Sequence, residues 1–334
     1  MHNYHSPFTG TIDLAGTLAG GTVLSCSDDF FAEKENLIKP TSPIFIEDRY
    51  TENGKWMDGW ESRRRRSPGF DWSIIKLGLP ACIKGVDIDT SHFRGNHPPY
   101  GSVEACVSPD NNLDATTKWD TILPQVPLKA NDHNIFQIEN ENSNNSEYTH
   151  VRLNIFPDGG VARFRVYGKK ERYSQEDLNG AIDLIGFQNG GEVLACSDSF
   201  FSPMQNLILP YEPLNMSQGW ETRRNRHSDQ DWVIIKACTP GIPKTIEIST
   251  KFFKGNFPDS LSIDYCCEKN THLDELIHSN KIWRSLLDRQ KMQADHHHVF
   301  TLAPNEQNKF TFLKLNIFPD GGIARLRVHG IPVK

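Results

Sequence analysis

The sequence has no long apolar run and little excess of charge of either sign. No stretch of its 334 residues approaches the roughly 20 apolar residues that a membrane-spanning helix needs, and residues 1–10 hold two histidines but no apolar core of signal-peptide length. Its 36 basic and 42 acidic residues give a net charge of −6, which offers no overall attraction to phosphate backbones or anionic lipid. We therefore expect a cytoplasmic protein that binds neither membranes nor nucleic acid.

Cysteine is sparse, and no metal-ligand pattern is visible. The seven cysteines form no CxxC pair, and an odd number cannot close into a complete set of intrachain disulfides, so we expect reduced thiols. Cys26 and Cys196 stand beside apolar residues, which favours small buried side chains over nucleophiles. His296-His297-His298 make a poor chelate, because adjacent side chains of an extended segment point to opposite faces. We predict no cofactor and no metal ligands, although a divalent-metal requirement stays open.

The sequence contains an internal duplication. Four motifs recur in the same order, at 25–31 and 195–201, 59–66 and 219–226, 93–98 and 253–258, and 153–168 and 315–330, the last pair identical at 13 of 16 positions. Insertions and deletions fall between the motifs, where surface loops tolerate them. We predict two repeats, residues 8–168 and 181–330, joined by a charged and polar linker at 169–180.

Local patterning predicts β-strands. In residues 161–168, apolar residues alternate with Arg163 and Arg165, which is the period of a sheet with one buried face. Residues 151–155 alternate in the same way, and Asp158-Gly159-Gly160 supply the turn between the two segments. These two segments are therefore predicted to form a hairpin.

The remaining pattern also favours an all-β fold. Residues 72–77 and 232–237 are near-continuous apolar runs, which are typical of central strands buried on both faces. Short strands separated by 24 glycines and 20 prolines predict a jelly-roll-like β-sandwich in each half. A few helical turns are expected near Leu273 to Gln290.

A duplicated Gly-Trp-Glu-x-Arg-Arg motif carries the first candidate site residues. Its arginines are Arg63-Arg64 and Arg223-Arg224, in segments too polar to be core. Arginine presents a planar fork suited to a carboxylate, so an organic acid is the predicted ligand. The alternative is a solvated run or an ion pair with Glu61 or Asp71. Nucleic acid is disfavoured because the basic run is isolated in an acidic chain.

A turn that contains a pair of glycines supplies further candidate site residues. Asp158 and Arg163, with Asp320 and Arg325 in the second copy, flank Gly-Gly pairs where the backbone can approach a ligand closely. Ordinary turn chemistry is the alternative explanation of the aspartates.

The third candidate lies in a Gly-Asn-His-Pro loop. Asn96 and His97 become Asn256 and Phe257 in the second copy, so only the first copy can supply a histidine there as general acid or base. A surface or structural histidine is the alternative.

Together these motifs resemble the allantoicase family. Gly-Trp-Glu-x-Arg-Arg, Asp-Trp-x-Ile-Ile-Lys, Phe-x-Gly-Asn-His-Pro and Phe-Pro-Asp-Gly-Gly-x-Ala-Arg occur in this order and in duplicate over nearly the whole chain, with Phe257 replacing the histidine in the second copy. The resemblance implies two galactose-binding-like jelly rolls in tandem. It also implies a reaction in which allantoate and water give (S)-ureidoglycolate and urea.

The residues suit that substrate, which carries one carboxylate and two ureido groups. Arginines can grip the carboxylate, and Glu61 and Asp158 can accept hydrogen bonds from ureido N–H groups. We predict that a carboxylate or His97 assists proton transfer, which makes Glu61, His97 and Asp158 the catalytic candidates. The substrate-binding candidates are Arg63, Arg64, Asn96, Arg163, Glu221, Arg223, Arg224, Asn256, Asp320 and Arg325.

Other functions stay open at this point. A tandem carbohydrate-binding module could stack sugars on Trp60 and Trp220, and a ureidoglycolate urea-lyase would use the same carboxylate grip. The second copy could also be only a scaffold or an oligomer interface, which Phe257 favours and the retention of Glu221 disfavours. A homo-oligomer is the default expectation for a metabolic enzyme.

Overall fold

A computed structural model describes residues 8, 10–139, 147–170, 180–226, 228–268, 271–279, 281–303 and 308–333. The chain forms two compact units, one of which is Thr11–Glu171 and the other of which includes Arg172–Lys334. The proposed linker at 169–180 lies largely outside the described residues.

The first unit consists of strands and short turns. Its strands are β1 Ile12–Asp13, β2 Thr22–Cys26, β3 Tyr50–Thr51, β4 Gly54–Lys55, β5 Trp60–Glu61, β6 Asp71–Asp89, β7 Tyr100–Cys106, β8 Asp120–Pro127, β9 His133–Gln137, β10 Tyr148–Phe156, β11 Gly160–Val161 and β12 Arg163–Lys169. Single 3₁₀ turns lie at Thr17–Ala19 and Lys34–Ile38.

The second unit repeats this order except that its described residues have no counterparts of β3 and β4. Its strands are β13 Ile182–Asp183, β14 Glu192–Cys196, β15 Trp220–Glu221, β16 Asp231–Ser249, β17 Ser260–Cys266, β18 Arg284–Lys291, β19 His297–Thr301, β20 Phe310–Phe318, β21 Gly322–Ile323 and β22 Arg325–Pro332. The 3₁₀ turns are Phe187–Asn189, Met204–Ile208 and Met216–Gln218, and one α-helix, α1, spans Leu273–His278.

Each unit is a jelly-roll-like sandwich built on one long bent strand. In the first unit the strand order is β1-β12-β6-β10-β7-β8, with β2 and β9 also paired to β6, and all pairs are antiparallel. The first half of β6 pairs with β10 and its second half pairs with β12, so β6 belongs to both layers. The second unit has the corresponding order β13-β22-β16-β20-β17-β18. The predicted all-β tandem fold is confirmed.

The predicted hairpin is wrong. β10 pairs with β6 and β7, whereas β12 pairs with β6 and β1, so the two strands pair with different halves of the long strand and not with each other. The Asp-Gly-Gly segment between them continues into β11, which pairs with β5. Correctly identified strands were thus assigned the wrong partners, because alternation shows which face is buried and does not show which strand is the neighbour.

Two further expectations need correction. The runs 72–77 and 232–237 do lie in the central strands β6 and β16, but Trp72 and Lys76 are only half-buried and Lys236 is exposed, so these segments are not buried on both faces. The helical turns expected over Leu273 to Gln290 end at His278, and Arg284–Lys291 forms β18.

Candidate active site

The Gly-Gly turn and the Gly-Asn-His-Pro loop pack directly against each other. Gly159 has a φ of 143°, and a Cβ atom there would lie 2.7 Å from both the Asn96 carbonyl oxygen and the Pro98 nitrogen. The Gly160 N–H donates to the Asn96 carbonyl at 2.8 Å. Only glycine allows this approach, so the two loops can meet because Gly159 and Gly160 have no side chains.

The short pair of β5 and β11 brings a third motif to the same place. Gly160 faces Glu61 in register, and Ser62 N–H donates to the Gly159 carbonyl at 3.2 Å. Asn96 Nδ2 then donates to Glu61 Oε1 at 2.7 Å. Asp158 Oδ2 accepts the backbone N–H of Arg65 at 2.9 Å. We call Glu61, Asn96, His97 and Asp158 the polar cluster.

The second unit repeats the arrangement without the histidine. Gly322 N–H donates to the Asn256 carbonyl at 2.8 Å, and Asn256 Nδ2 donates to Glu221. Asp320 accepts the backbone N–H of Asn225 at 2.7 Å. Phe257 stands where the first unit has His97, as the sequence indicates.

Burial changes the acidity of the cluster's glutamate. Desolvation raises the pKa of Glu61, and the hydrogen bond from Asn96 opposes this rise only in part; the same causes raise the pKa of Glu221. His97 is half-buried, and its Nδ1 is enclosed without a hydrogen bond to the described residues. The first unit therefore places a carboxyl group of raised pKa and an imidazole on neighbouring, tightly packed segments.

Arg63 and Arg223 form ion pairs that sequence reasoning did not identify. Arg63 Nε lies 2.7 Å from Asp28 Oδ2 and its guanidinium lies over the Phe30 ring at 5.0 Å. Arg223 makes the same contacts, with Asp198 at 2.9 Å and Phe200 at 5.1 Å. The carboxylate partner is thus neither Glu61 nor Asp71. The signal was present, since each aspartate belongs to a duplicated Ser-Asp motif.

The neighbouring arginines remain available to a ligand. Arg64 and Arg224 are exposed and form no ion pair within the described parts of the chain. In the second unit Arg223, Arg224 and Arg226 line a cavity of about 370 Å³ together with the buried carboxylate of Asp231. This cavity presents cationic groups and the carboxylates of Asp198 and Asp231 to the same space.

The two strand arginines, Arg163 and Arg325, do not face the glycine turn. Arg163 is 1% exposed; its Nη2 pairs with Asp58 at 2.7 Å and its Nε donates to the Thr41 carbonyl at 2.9 Å. Arg325 is 4% exposed and donates to the carbonyls of Tyr211 and Gln218. The alternation of strand β12 led us to expect a solvated polar face. That face is instead covered by the segment that carries Thr41 and Asp58.

The tryptophans cannot serve as sugar platforms. Trp60 and Trp220 are both fully buried. Their Nε1 groups donate to the carbonyls of Asp28 and Asp198 at 2.8 Å. Stacking of a sugar requires an exposed ring face, so the carbohydrate-binding alternative loses the residues on which it depended.

The histidines and cysteines are the candidate metal ligands and reactive thiols of the described residues. These contain no group of three or more His, Cys, Asp or Glu side chains placed to hold a metal ion. His298 is buried and accepts from Gln293, while His297 is exposed and lies 3.4 Å from Glu247. Burial raises the pKa of Cys26 and Cys196 to about 11, so both remain thiols at neutral pH. The described part of the chain also has no helix long and apolar enough to cross a membrane.

The fold and the duplicated cluster define a class: a tandem jelly-roll protein with one carboxylate–amide pair per repeat. A family model described as the allantoicase repeat matches residues 12–171 and 182–333. A probable allantoicase of Pseudomonas fluorescens is 43% identical over 99% of both chains, and one of Photobacterium profundum is 44% identical over 97% of both. The crystal structure of the Saccharomyces cerevisiae allantoicase matches with a TM-score of 0.80 and 34% identity, over 96% of this chain and 93% of that one. The chain belongs to the allantoicase family.

Proposed function

We propose that this chain hydrolyses allantoate to (S)-ureidoglycolate and urea. The family membership extends over both repeats, and relatives of almost the same length are named as probable allantoicases. One observation on this chain supports the proposal most directly. Four polar residues lie around the Gly159-Gly160 turn: Glu61, Asn96, His97 and Asp158.

The polar cluster can supply the general acid and the general base that this reaction needs. One bond between the central carbon and a ureido nitrogen breaks, the nitrogen takes up a proton as urea leaves, and water provides the hydroxyl group of ureidoglycolate. Glu61, whose pKa is raised by burial, holds a proton at higher pH than an ordinary glutamate and can donate it to the leaving nitrogen. His97 is placed in the same loop as Asn96 to accept the proton of water.

Neighbouring groups suit the rest of the substrate. Asp158 uses Oδ2 for the Arg65 backbone, and its Oδ1 forms no hydrogen bond within the described residues, so it can accept from a ureido N–H group. Arg64 is exposed without a carboxylate partner among the described residues and can pair with the substrate carboxylate. Arg63 is less suited to this role because its guanidinium already forms an ion pair with Asp28.

Ureidoglycolate is the alternative substrate of the same cluster. It retains the carboxylate and one ureido group, so the same contacts would bind it. Urea release is therefore measured with allantoate, ureidoglycolate and allantoin in parallel. Urea from allantoate alone is the expected result; urea from ureidoglycolate alone would contradict the proposal.

Matched variants of the two repeats test the assignment of residues. Glu61→Gln should lower turnover of allantoate by about 100-fold or more, which is a typical cost of losing a general acid. Glu221→Gln, the same change in the copy that lacks the histidine, should leave turnover within about twofold. Wild-type turnover in a folded Glu61→Gln protein would show that the glutamate has no catalytic role, and the opposite pattern would move catalysis to the second unit.

A chelator-treated sample tests the absence of a metal. Unchanged urea release is expected, because the described residues offer no set of three metal ligands. Loss of activity that a divalent cation restores would overturn this expectation.

A further inference from the structure

A cavity of about 180 Å³ in the second unit is lined mainly by ionisable side chains. Its walls come from the paired strands β16, β19 and β22, and they include Glu247, Ser249, His297, Arg325 and Arg327. None of Glu221, Asn256 or Asp320 lines it. The cavity has room for several water molecules or for a ligand of a few heavy atoms.

Arg325 is the least compensated charge of this cavity. Its Nε donates to the Tyr211 carbonyl at 2.8 Å, and its Nη1 donates to the carbonyls of Gln218 and Ala324, both at 2.6 Å. No carboxylate lies within ion-pair distance of it among the described residues, although it is only 4% exposed. Burial lowers the pKa of Arg325 to about 10, so the side chain is still charged at neutral pH. A buried cation without a counter-charge is unfavourable.

Comparison with the first unit shows which carboxylates Arg325 lacks. There the corresponding Arg163 pairs with Asp58 at 2.7 Å, and Asp89 faces it in register. In the second unit the residue before Gly-Trp is Gln218, and Ser249 faces Arg325 in register. Both carboxylates have therefore been replaced by uncharged side chains while the arginine has stayed buried.

The carboxylates that line the cavity already have basic partners. Glu212 is exposed and lies 3.6 Å from Lys251 Nζ. The other two pairings are Asp183 with Arg327 at 3.6 Å, and Glu247 with His297 and His329, both at 3.4 Å. The gap in the charge balance is thus specific to Arg325.

Gln218 does not compensate for the lost aspartate. Its side-chain oxygen accepts from the Leu214 backbone N–H at 2.7 Å, so it is engaged in its own loop. Arg325 Nη2 makes no hydrogen bond or ion pair with the described residues. A ligand oxygen in the cavity could accept from this nitrogen.

We propose that this cavity binds a small oxyanion, a carboxylate or phosphate group, which gives Arg325 the counter-charge that Asp58 gives Arg163. The Ser249 hydroxyl is a further donor on the cavity wall. The proposal is independent of the proposed catalytic activity. It requires only that the second unit is folded as described.

The test is ligand-dependent stabilisation of the full chain. Thermal unfolding is followed with increasing inorganic phosphate, with increasing acetate, and with sodium chloride at matched ionic strength as the control. A ligand that binds only the folded state raises the melting temperature with concentration, by an amount set by its dissociation constant. Stabilisation by phosphate or acetate beyond that by chloride is expected; equal effects of all three salts would overturn the proposal.

Gln218→Asp is the matched variant, since it rebuilds the carboxylate of the first unit. Its dissociation constant for the stabilising anion should rise at least about tenfold, because the new aspartate occupies Arg325. Ser249→Asp is the second variant, in case the first perturbs the Leu214 loop. Anion binding that both folded variants keep unchanged would overturn the proposal.

Enzyme kinetics identify the source of the oxyanion. If the two variants leave the KM for allantoate unchanged while anion binding is lost, the ligand is a separate small anion. If KM rises in step with the loss of anion binding and kcat is retained, the ligand is the substrate's own carboxylate.

Discussion

Arg65 and Asn225 hold the same position in the two repeats, but only Arg65 reaches across to make an ion pair with the aspartate that follows it. Arg65 Nη1 lies 2.7 Å from Asp71 Oδ1, whereas Asn225 Nδ2 lies 3.3 Å from Asp231 Oδ1. Asn225 and Asp231 both line the 370 Å³ cavity of the second unit. One substitution between otherwise similar motifs thus replaces an ion pair with a longer amide hydrogen bond.

Arg65→Asn should destabilise the protein by about 1–3 kcal/mol, because the Asp71 carboxylate is buried and loses its cation. Guanidinium chloride unfolding measures the change. Asn225→Arg is the reverse variant and should stabilise the second unit by pairing with Asp231. Equal stability of wild type and Arg65→Asn would show that the Arg65 ion pair has no net value.

Glu61→Gln should make the protein more stable at neutral pH while it lowers the turnover of allantoate. Burial raises the pKa of Glu61, so folding favours its protonated form, and stability is lost as the pH rises above the ordinary value near 4.5. Glutamine does not ionise and escapes this loss. Unfolding curves of both proteins from pH 4 to pH 7 should diverge in favour of the variant. Parallel curves would contradict the raised pKa.

His97→Phe copies the second repeat into the first. It should lower kcat for allantoate by about 10²–10⁴-fold and change stability little, because Phe257 occupies the same place in an intact loop. Phe257→His is the matched control and should leave the existing activity in place. If His97→Phe retained wild-type kcat, His97 would not be the proton acceptor.

Asp58→Asn should cost about 3–5 kcal/mol, because it leaves the buried Arg163 without its carboxylate. The double variant Asp58→Asn with Arg163→Met should recover part of this loss, since no buried charge is then left alone. Chemical unfolding of the single and double variants measures the coupling. Additive effects would show that the two side chains act independently.

His133 should make stability pH-dependent in the alkaline range. Its hydrogen bond to Asp87 at 2.7 Å raises the pKa of His133 to about 9. Burial raises the pKa of Asp87 as well, and the contact with His133 opposes that rise. A raised histidine pKa stabilises the folded state below pH 6.5, and this stabilisation is lost as the pH rises from 6.5 through about 9. His133→Asn should flatten the melting-temperature profile over this window; an unchanged profile would contradict the ion pair.

The duplication, the all-β class and the family could all be predicted from the amino-acid sequence alone. Each depends on order and periodicity along the chain, which are properties of the sequence alone. Repeated motifs show where the framework lies, and alternation shows which residues share a face of a strand.

The identity of neighbouring strands and the pairing of buried charges could be read only from the folded structure. Only the two-residue strand β11 lies between β10 and β12 in the chain, yet the two pair with different halves of β6, since the chain crosses between layers after Phe156. Arg163 and Arg325 looked equivalent in the sequence, yet Asp58 neutralises the first and no described carboxylate neutralises the second. Pairing and charge compensation depend on residues about 100 positions apart, and a local pattern carries no information on contacts at that separation.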